Sequence, residues 1–159
     1  MNIRRAEPRD LLELNRLLRQ VLDVHNQGRP DLFKSGAKKY TDEELLNILA
    51  DELTPVFVAT DASDTVLGYA FCVFIQHKEH NILTDVKTLY IDDLCVDEAF
   101  RGMGVGKALY AHVLAFARET DCYNVTLNVW ACNTGALRFY EKLGLLPQKI
   151  GMETIIYKK

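Results

Sequence analysis

The sequence has no long apolar run, no basic run and no Cys-x-x-Cys pair. Without about 18 to 20 consecutive apolar residues it offers no membrane-spanning helix, and no signal peptide is evident. A formal net charge of −3 gives no general attraction to nucleic acid or to an anionic membrane. The four cysteines are scattered, so we interpret them as reduced thiols and expect a cytoplasmic protein without nucleic-acid or membrane partners.

Linkers, repeats and low-complexity segments are also missing. A chain of 159 residues with 48% hydrophobic content can bury a sizeable core, so we expect one domain over residues 1–159. Metal-ligand spacing is missing too, because His77-Lys78-Glu79-His80 has no partner ligands at supporting positions. We therefore interpret that segment as an exposed strand end and expect no metal.

What the sequence does contain is a glycine-rich turn between an apolar run, residues 89–96, and an amphipathic segment. The turn reads Arg101-Gly102-Met103-Gly104-Val105-Gly106-Lys107. Glycines let the backbone approach a ligand closely, and the first N–H groups of a following helix favour negative charge. With Arg101 and Lys107 as cationic donors, the turn predicts an anion site.

Two common phosphate-binding motifs do not fit this turn. A Walker A loop would place its first glycine at Arg101 and its hydroxyl residue at Ala108. The dinucleotide fingerprint lacks its third glycine in either register. What remains is Arg-x-x-Gly-x-Gly, formed by Arg101, Gly104 and Gly106, and taken alone it also fits any glycine-rich strand-to-helix turn.

The sequence resembles the GCN5-related N-acetyltransferases (GNAT family) in two ordered motifs. Their acetyl-CoA motif, Arg/Gln-x-x-Gly-x-Gly/Ala between a strand and a helix, is similar to residues 101–106. A second family motif, Asn-x-x-Ala-x-x-Phe-Tyr-x-x-x-Gly, is similar to residues 133–144. The N-terminal Ile3-Arg4-Arg5-Ala6 strand and the helix after it extend the resemblance over nearly the whole chain.

The hydrophobic pattern predicts an α+β fold, and the resemblance implies the GNAT-like acyl-CoA N-acyltransferase version of it. In that fold helices flank a mixed, mostly antiparallel central sheet, and two strands splay apart around the thioester. Helices are predicted after Pro8, after the capping-box pair Thr41 and Glu44, after the glycine turn, and over residues 133–143. Strands are predicted over residues 2–7, 56–59, 66–77, a run ending at 96, 123–129, and a closing strand over 152–157.

The resemblance implies an acetyl-CoA-dependent N-acetyltransferase that acts on a primary amine. Backbone groups at the end of the strand before the turn would hold the pantetheine arm and polarise the thioester. The turn would hold the pyrophosphate, and the last helix would add contacts to the donor. The implied donor-binding set is Leu94, Cys95, Val96, Arg101, Gly102, Met103, Gly104, Val105, Gly106, Lys107, Asn133, Ala136 and Tyr140. For Asn133, an ordinary helix N-cap is the simpler interpretation.

Tyr140 is the candidate general acid, because it matches the tyrosine that protonates the leaving sulfur in many family members. A CoA thiolate should resemble a cysteine thiolate, with a pKa of about 8.5, so a phenol with a pKa near 10 can supply the proton. Without the resemblance, a helix aromatic that packs its ring and hydrogen-bonds its hydroxyl is the favoured interpretation of Tyr140.

Asp92 and Asp93 are adjacent, and strand alternation predicts that their side chains lie on opposite faces. We expect Asp92 to act at the acceptor as a base, a water-orienting residue or a counter-ion of the amine. The segment Tyr90-Ile91-Asp92-Asp93-Leu94 resembles the polyamine (spermidine/spermine-type) acetyltransferases, which carry a glutamate where Asp92 stands. The shorter side chain makes a water relay as suitable as direct deprotonation, and a structural ion pair is the alternative.

The acidic pair favours a small-molecule amine, such as a polyamine, as the acceptor. A protein lysine or N-terminal acetyltransferase is the alternative within the enzyme class, and a non-catalytic acyl-CoA-binding sensor domain is the alternative outside it. The polar segment of residues 23–33 and Trp130 are candidates for acceptor contacts, although a solvated loop and a core tryptophan explain them as well. A homodimer is a further expectation.

Overall fold

The computed structural model describes residues 1–157, in which strands and α-helices follow one another along the chain. The strands are β1 (Asn2–Arg5), β2 (Val56–Thr60), β3 (Val66–Gln76), β4 (Lys87–Val96) and β5 (Asn124–Leu127). The helices are α1 (Leu11–Gly28), α2 (Asp42–Ala50), α3 (Val105–Glu119) and α4 (Thr134–Lys142). Short 3₁₀ turns, Pro8–Asp10 and Glu98–Phe100, precede α1 and α3.

The strands form one sheet in the order β1-β2-β3-β4-β5. Each pairing is antiparallel except that of β4 with β5, which is parallel because α3 carries the chain back across the sheet. Helix α3 packs on one face through Leu109 and Val113, while α1 and α2 pack on the other through Leu14 and Leu45. The predicted α+β fold with a mixed, mostly antiparallel sheet is confirmed.

Local sequence signals explain where the first two helices begin. Pro8 opens the 3₁₀ turn before α1, where its missing N–H group has no partner to lose. The Thr41 side chain accepts a hydrogen bond from the Glu44 N–H at 3.1 Å, and the Glu44 carboxylate accepts one from the Thr41 N–H at 2.7 Å. This reciprocal pair is the predicted capping box, and it fixes the start of α2.

A β-bulge interrupts the pairing of β3 with β4. Phe71 pairs with Asp93 and Cys72 pairs with Ile91, so Asp92 is an extra residue without a partner on β3. The pairing of β4 with β5 ends at Ile91, opposite Leu127, although β4 continues to Val96. From the bulge onward, no strand formed by residues 1–157 lies beside β4 on the β5 side, which is the opening that the resemblance implied.

The predicted closing strand over residues 152–157 is wrong. The chain after α4 forms no strand up to residue 157, and apolar side chains there face outward, with Met152 94% and Ile156 80% exposed. A strand needs a neighbour whose backbone groups complete its hydrogen-bond ladder, and an apolar composition alone does not supply one. The segment is instead held by an ion pair of Glu153 with Arg29, just beyond α1.

Candidate functional site

The end of β4 leads into the glycine turn through a buried aspartate. Asp97 accepts a hydrogen bond from the Ala99 N–H at 3.1 Å. It also forms an ion pair with Arg16 at 2.5 Å, and this contact fixes the turn against α1. Gly102 and Gly104 then adopt φ angles of +79° and +84°, in the left-handed region that favours glycine. Helix α3 begins directly afterwards at Val105.

The start of α3 has unpaired backbone donors and free space beside them. Gly104 is its N-cap and provides no side-chain cap, so the N–H groups of Val105, Gly106 and Lys107 lack the partners that a preceding turn would supply. A Cβ atom built at Gly102 or Gly104 would meet nothing within 4 Å. Donors that face an open volume at a helix N-terminus fit an anionic group such as a pyrophosphate.

Gly106 has a different role, because it allows close packing rather than ligand approach. A Cβ atom there would lie 3.1 Å from the Phe139 ring and 3.4 Å from a Val96 methyl group. The glycine therefore lets α3, α4 and the end of β4 meet. The two family motifs are brought together at this contact.

The two predicted cationic donors, Arg101 and Lys107, are exposed, and Arg101 already contacts other groups of this chain. Arg101 donates from Nε to the Val96 carbonyl at 3.3 Å and lies 3.7 Å from a Glu98 carboxylate oxygen. Its guanidinium thus folds back onto the end of β4. Lys107 is exposed on the first turn of α3, and Met103 is 69% exposed.

Among the predicted strand residues, Cys95 points away from the opening. Its Sγ atom lies 3.8 Å from the Leu17 carbonyl of α1, on the other face of the sheet from α3. Burial raises the pKa of the Cys95 thiol to about 12, so this thiol is not a nucleophile at neutral pH. Cys95 can contact a ligand at the opening through its backbone, as the resemblance implied.

The prediction that Asp92 and Asp93 lie on opposite faces is wrong. Their carboxylates both contact the Lys39 ammonium, with Nζ to Oδ2 distances of 3.0 Å for Asp92 and 3.2 Å for Asp93. The bulge is the reason, because the extra residue in β4 breaks the two-residue alternation at this point. Two phenols complete the cluster, with Tyr40 donating to Asp92 at 3.4 Å and Tyr69 to Asp93 at 3.2 Å.

Burial distinguishes the two carboxylates. The Asp93 side chain is 9% exposed and that of Asp92 is 37% exposed. Burial raises the pKa of Asp93 above its usual range, although the charge of Lys39 opposes the shift. Burial alone would lower the pKa of Lys39, but the attraction of Asp93 and Asp92 outweighs it and raises that pKa. Lys39 is therefore a firmly protonated ammonium in this cluster.

Tyr140 lies on α4 with 9% of its surface exposed, and its ring packs edge-on against Phe139 at a centroid distance of 5.0 Å. Burial raises the pKa of Tyr140, and the negative charge of Asp93 adds to the shift. The hydroxyl therefore keeps its proton at neutral pH. The charge of Asp93, a member of the acidic cluster, acts on this hydroxyl.

Asn133 is the N-cap of α4, as the simpler interpretation predicted. Its Oδ1 atom accepts a hydrogen bond from the Ala136 N–H at 3.1 Å. This bond accounts for both residues structurally, and a donor contact for either one stays a prediction.

The predicted acceptor segment and Trp130 come together at the end of α1. The rings of His25 and Phe33 lie 4.9 Å apart, and Phe33 meets Trp130 edge-on at 5.3 Å. A cavity of about 310 Å³ lies between the end of α1 and the start of α4. Its lining residues are Val24, His25, Gln27, Gly28, Cys132, Asn133, Thr134 and Gly135. A larger depression, about 710 Å³, lies at the opposite end of the sheet and shares none of the candidate site residues.

Sequence reasoning missed Lys39, Tyr40 and Tyr69, and it did not separate Asp93 from Asp92. Lys39 lies in a polar loop 53 residues before Asp92, and that loop carries other lysines of the same appearance. Tyr69 reads as an ordinary apolar position of a strand. The useful signal was the doubled aspartate itself, since two adjacent acids in an apolar strand require partners.

The family model described as acetyltransferase (GNAT) family matches residues 18–145. The chain belongs to the GNAT family and is an N-acetyltransferase, in a family whose acetyl donor is acetyl-CoA.

Individual relatives differ in their acceptors. The chain is 32% identical over 142 residues to glucosamine 6-phosphate N-acetyltransferase 1 of Oryza sativa subsp. japonica, covering 89% of this chain and 82% of that protein. It is 30% identical over 144 residues to the peptidyl-lysine N-acetyltransferase YjaB of Salmonella typhimurium, covering 91% and 82%. A mutant of the BH1408 protein from Bacillus halodurans superposes with a TM-score of 0.94 at 30% identity, covering 99% and 100%. The family therefore defines the reaction and leaves the acceptor open.

Within residues 1–157 no helix is both long enough and apolar enough to span a bilayer. The same residues contain no group of three or more His, Cys, Asp or Glu side chains placed to hold a metal ion.

Proposed function

We propose that this enzyme transfers the acetyl group of acetyl-CoA to the primary amine of a small molecule, at the opening beside the second half of β4. One observation carries the proposal. The strand that ends in the glycine turn also holds, at its bulge, two carboxylates bound to a primary ammonium. The cluster suited to an ammonium thus lies on β4, and the turn suited to an anion follows the end of the same strand.

The glycine turn is the proposed donor site. The N–H groups of Val105, Gly106 and Lys107 would bind the pyrophosphate, and Arg101 would add a charge after leaving the Val96 carbonyl. Backbone groups of β4 beyond the bulge, at Leu94 to Val96, have no strand beside them on the β5 side and are available to the pantetheine arm. The donor supplies the activated acetyl carbon that the amine attacks.

Tyr140 is the proposed general acid. Its phenol is buried and protonated, so it can give a proton to the departing sulfur as the C–S bond breaks. A raised pKa weakens the phenol as an acid but also keeps its proton in place over the whole neutral range. No residue has to be ionised beforehand for this step.

Asp93 is the proposed proton acceptor for the amine, either directly or through water. Its raised pKa makes it a better base than an exposed carboxylate, and its charge already acts on Tyr140. Asp92, which is more exposed, would act as the counter-ion of the incoming ammonium. This division of roles refines the sequence prediction, which assigned the catalytic role to Asp92.

The surroundings of the acidic cluster favour a small acceptor of low charge. The loop before α2 brings Lys39 and Tyr40 over β4, and Phe33 of the same loop packs against Trp130. A loop in this position narrows the acceptor side, which suits a small molecule better than a protein chain. Lys39 also neutralises one of the two negative charges, so a polyamine gains less from the pair than the sequence predicted.

The test is an acetyl-CoA turnover assay with a panel of acceptors. The panel contains amino sugars, singly charged alkyl amines, polyamines, and peptides with a free lysine or a free N-terminus. We expect CoA release, together with an acetylated product in the mass spectrum, for a small amine of low charge. Turnover of peptides without turnover of any small amine would contradict the proposal.

Protein lysine acetylation is the second candidate, and one relative named as a peptidyl-lysine N-acetyltransferase favours it. The Lys39 contact is consistent with it as well, since the cluster binds a lysine side chain. If the protein bound acetyl-CoA but turned over no acceptor in the panel, that result would instead support a sensor role.

A further inference from the structure

The acidic cluster is a complete binding site for a primary ammonium, and the chain fills it with its own Lys39. The Nζ atom contacts two carboxylates at 3.0 and 3.2 Å. It also lies 5.3 Å from the centre of the Tyr40 ring, within the range of a cation–π contact. The Tyr69 hydroxyl adds a further contact, because it donates to the buried Asp93, one of these two carboxylates.

We propose that Lys39 is a modification site, which the enzyme acetylates in cis when the acetyl donor is bound and no acceptor amine is present. The modification rests on the proposed function, because it uses the same donor site and the same acidic cluster. It adds an activity on the chain itself, with the side chain of Lys39 as the acceptor.

The first reason to expect acetylation of Lys39 is that its side chain has the same reacting group as a small acceptor. The Lys39 side chain ends in a primary alkyl amine, the same group that a small acceptor would present. A site that aligns such an amine with a thioester does not distinguish a tethered amine from a free one by its reacting atoms. Proximity then favours the tethered amine, because no translational freedom has to be lost on binding.

The second reason to expect acetylation of Lys39 is that the loop before α2 is anchored on both sides of this residue. Asn26 donates to the Phe33 carbonyl at 2.6 Å, and Lys38 pairs with Asp42 at 2.6 Å, so the loop is fixed on both sides of the contact. Lys39 is therefore held over β4 rather than passing through this position occasionally. Its side chain is 29% exposed, which leaves room for release after reaction.

The reaction balances with the groups present and the donor. Lys39 first loses a proton to Asp93 or to water, and its nitrogen then attacks the acetyl carbon of the thioester. The new C–N bond forms, the nitrogen loses its second proton to solvent, and the C–S bond breaks with its electron pair on sulfur. Tyr140 gives its proton to that sulfur and regains one from solvent, and any proton held by Asp93 also passes to solvent. The products are Nε-acetyl-Lys39 and free CoA.

The charges around Lys39 set the pH dependence. Asp92 and Asp93 on β4 stabilise the ammonium, and the Tyr40 and Tyr69 hydroxyls donate to those carboxylates. Burial, together with the charge of Lys39, lowers the pKa of His25 on α1, so this imidazole adds little positive charge near neutral pH. The carboxylates raise the pKa of Lys39 above its usual value, so the reactive neutral amine is scarce near neutral pH. Its amount grows about tenfold with each pH unit below that pKa, so the self-acetylation rate should rise with pH.

The experiment is incubation of the whole protein with acetyl-CoA and no acceptor, followed by intact-mass and peptide mass spectrometry. We expect one acetyl group per chain, located on Lys39, with a first-order rate constant that does not depend on protein concentration. Neighbouring Lys38 is the internal control, because its side chain is 41% exposed and it pairs outside the cluster. Acetylation of Lys39 should exceed that of Lys38 by at least about tenfold.

The comparison with Lys38 separates enzymatic from ordinary chemical acetylation. Uncatalysed reaction with acetyl-CoA would favour the more exposed lysine, so Lys38 would then react before Lys39. Lys39→Arg should abolish the single acetylation, and Lys38→Arg should leave it unchanged.

The outcomes also separate this proposal from the proposed function. Acetylation of a small amine by a protein whose Lys39 stays unmodified, with or without that amine, would overturn the self-acetylation and leave the proposed function standing. A rate that rises with protein concentration would overturn the cis reaction. A protein that binds no CoA in calorimetry would refute the proposed function directly.

Discussion

At the scale of single residues, the site depends on how burial changes ordinary side chains. Asp93 and Tyr140 are both largely removed from water, and burial raises the pKa of each. Asp93 thereby becomes a better base and Tyr140 a more persistent proton donor. Lys39 contacts both carboxylates, and its positive charge stabilises the buried Asp93.

Tyr140→Phe tests the proposed acid. The ring and its contact with Phe139 are retained while the hydroxyl is lost, so the fold should be unaffected. We expect unchanged acetyl-CoA affinity and a fall in kcat of about 10²- to 10⁴-fold, the usual contribution of a general acid. Steady-state and single-turnover kinetics measure this.

Tyr110→Phe is the matched control, because Tyr110 is another largely buried tyrosine, on α3. It should keep near-normal turnover. If Tyr140→Phe also turned over normally, with chemistry rate-limiting, Tyr140 would have only the packing role.

At the scale of elements, the β-bulge in β4 accounts for most of the site. One extra residue places Asp92 and Asp93 against the same ammonium, and the pairing with β5 ends at the residue before it. Bulges often re-aim side chains beside active sites and end strand pairing. The loop before α2 then supplies Lys39 and Tyr40, and the capping box of α2 fixes where that loop ends.

Thr41→Ala tests the contribution of that capping box. The substitution removes the side chain that accepts from the Glu44 N–H, and we expect a loss of about 1 kcal/mol in the free energy of unfolding. Urea denaturation measures it. Thr65→Ala is the control, because Thr65 is exposed and donates from its backbone N–H to Asp61. An equal loss in both variants would contradict the capping role of Thr41.

At the scale of the whole molecule, the sequence predicts most of the architecture and only part of the site. Helix periodicity, the capping box and the glycine turn depend on residues close together in the chain, so a sequence pattern predicts them. The bulge depends on how β4 pairs with β3, and the Lys39 contact joins residues 53 positions apart. Neither leaves a local pattern, which is why strand alternation gave the wrong faces for Asp92 and Asp93.

The closing strand over residues 152–157 was wrong for a related reason. Its apolar, β-branched composition matches a strand, but strand formation depends on a partner edge elsewhere in the fold. The glycine turn was easier to interpret, since left-handed φ angles at Gly102 and Gly104 are a local requirement. The local conformation of the glycine turn was therefore predictable from the sequence, and the arrangement of the acidic cluster was not.

The central claim is that the glycine turn binds the pyrophosphate of CoA, and calorimetry with a Gly104→Asn variant tests it most directly. Asparagine tolerates the left-handed conformation at φ +84°, so the backbone should be preserved, while its side chain fills the open space beside α3. Gly144→Asn is the matched control, with φ +88° and equally open surroundings at the end of α4. We predict that Gly104→Asn weakens CoA binding by at least about tenfold, or 1.4 kcal/mol, while Gly144→Asn binds like the wild type. Unchanged CoA affinity in a folded Gly104→Asn protein would contradict the claim.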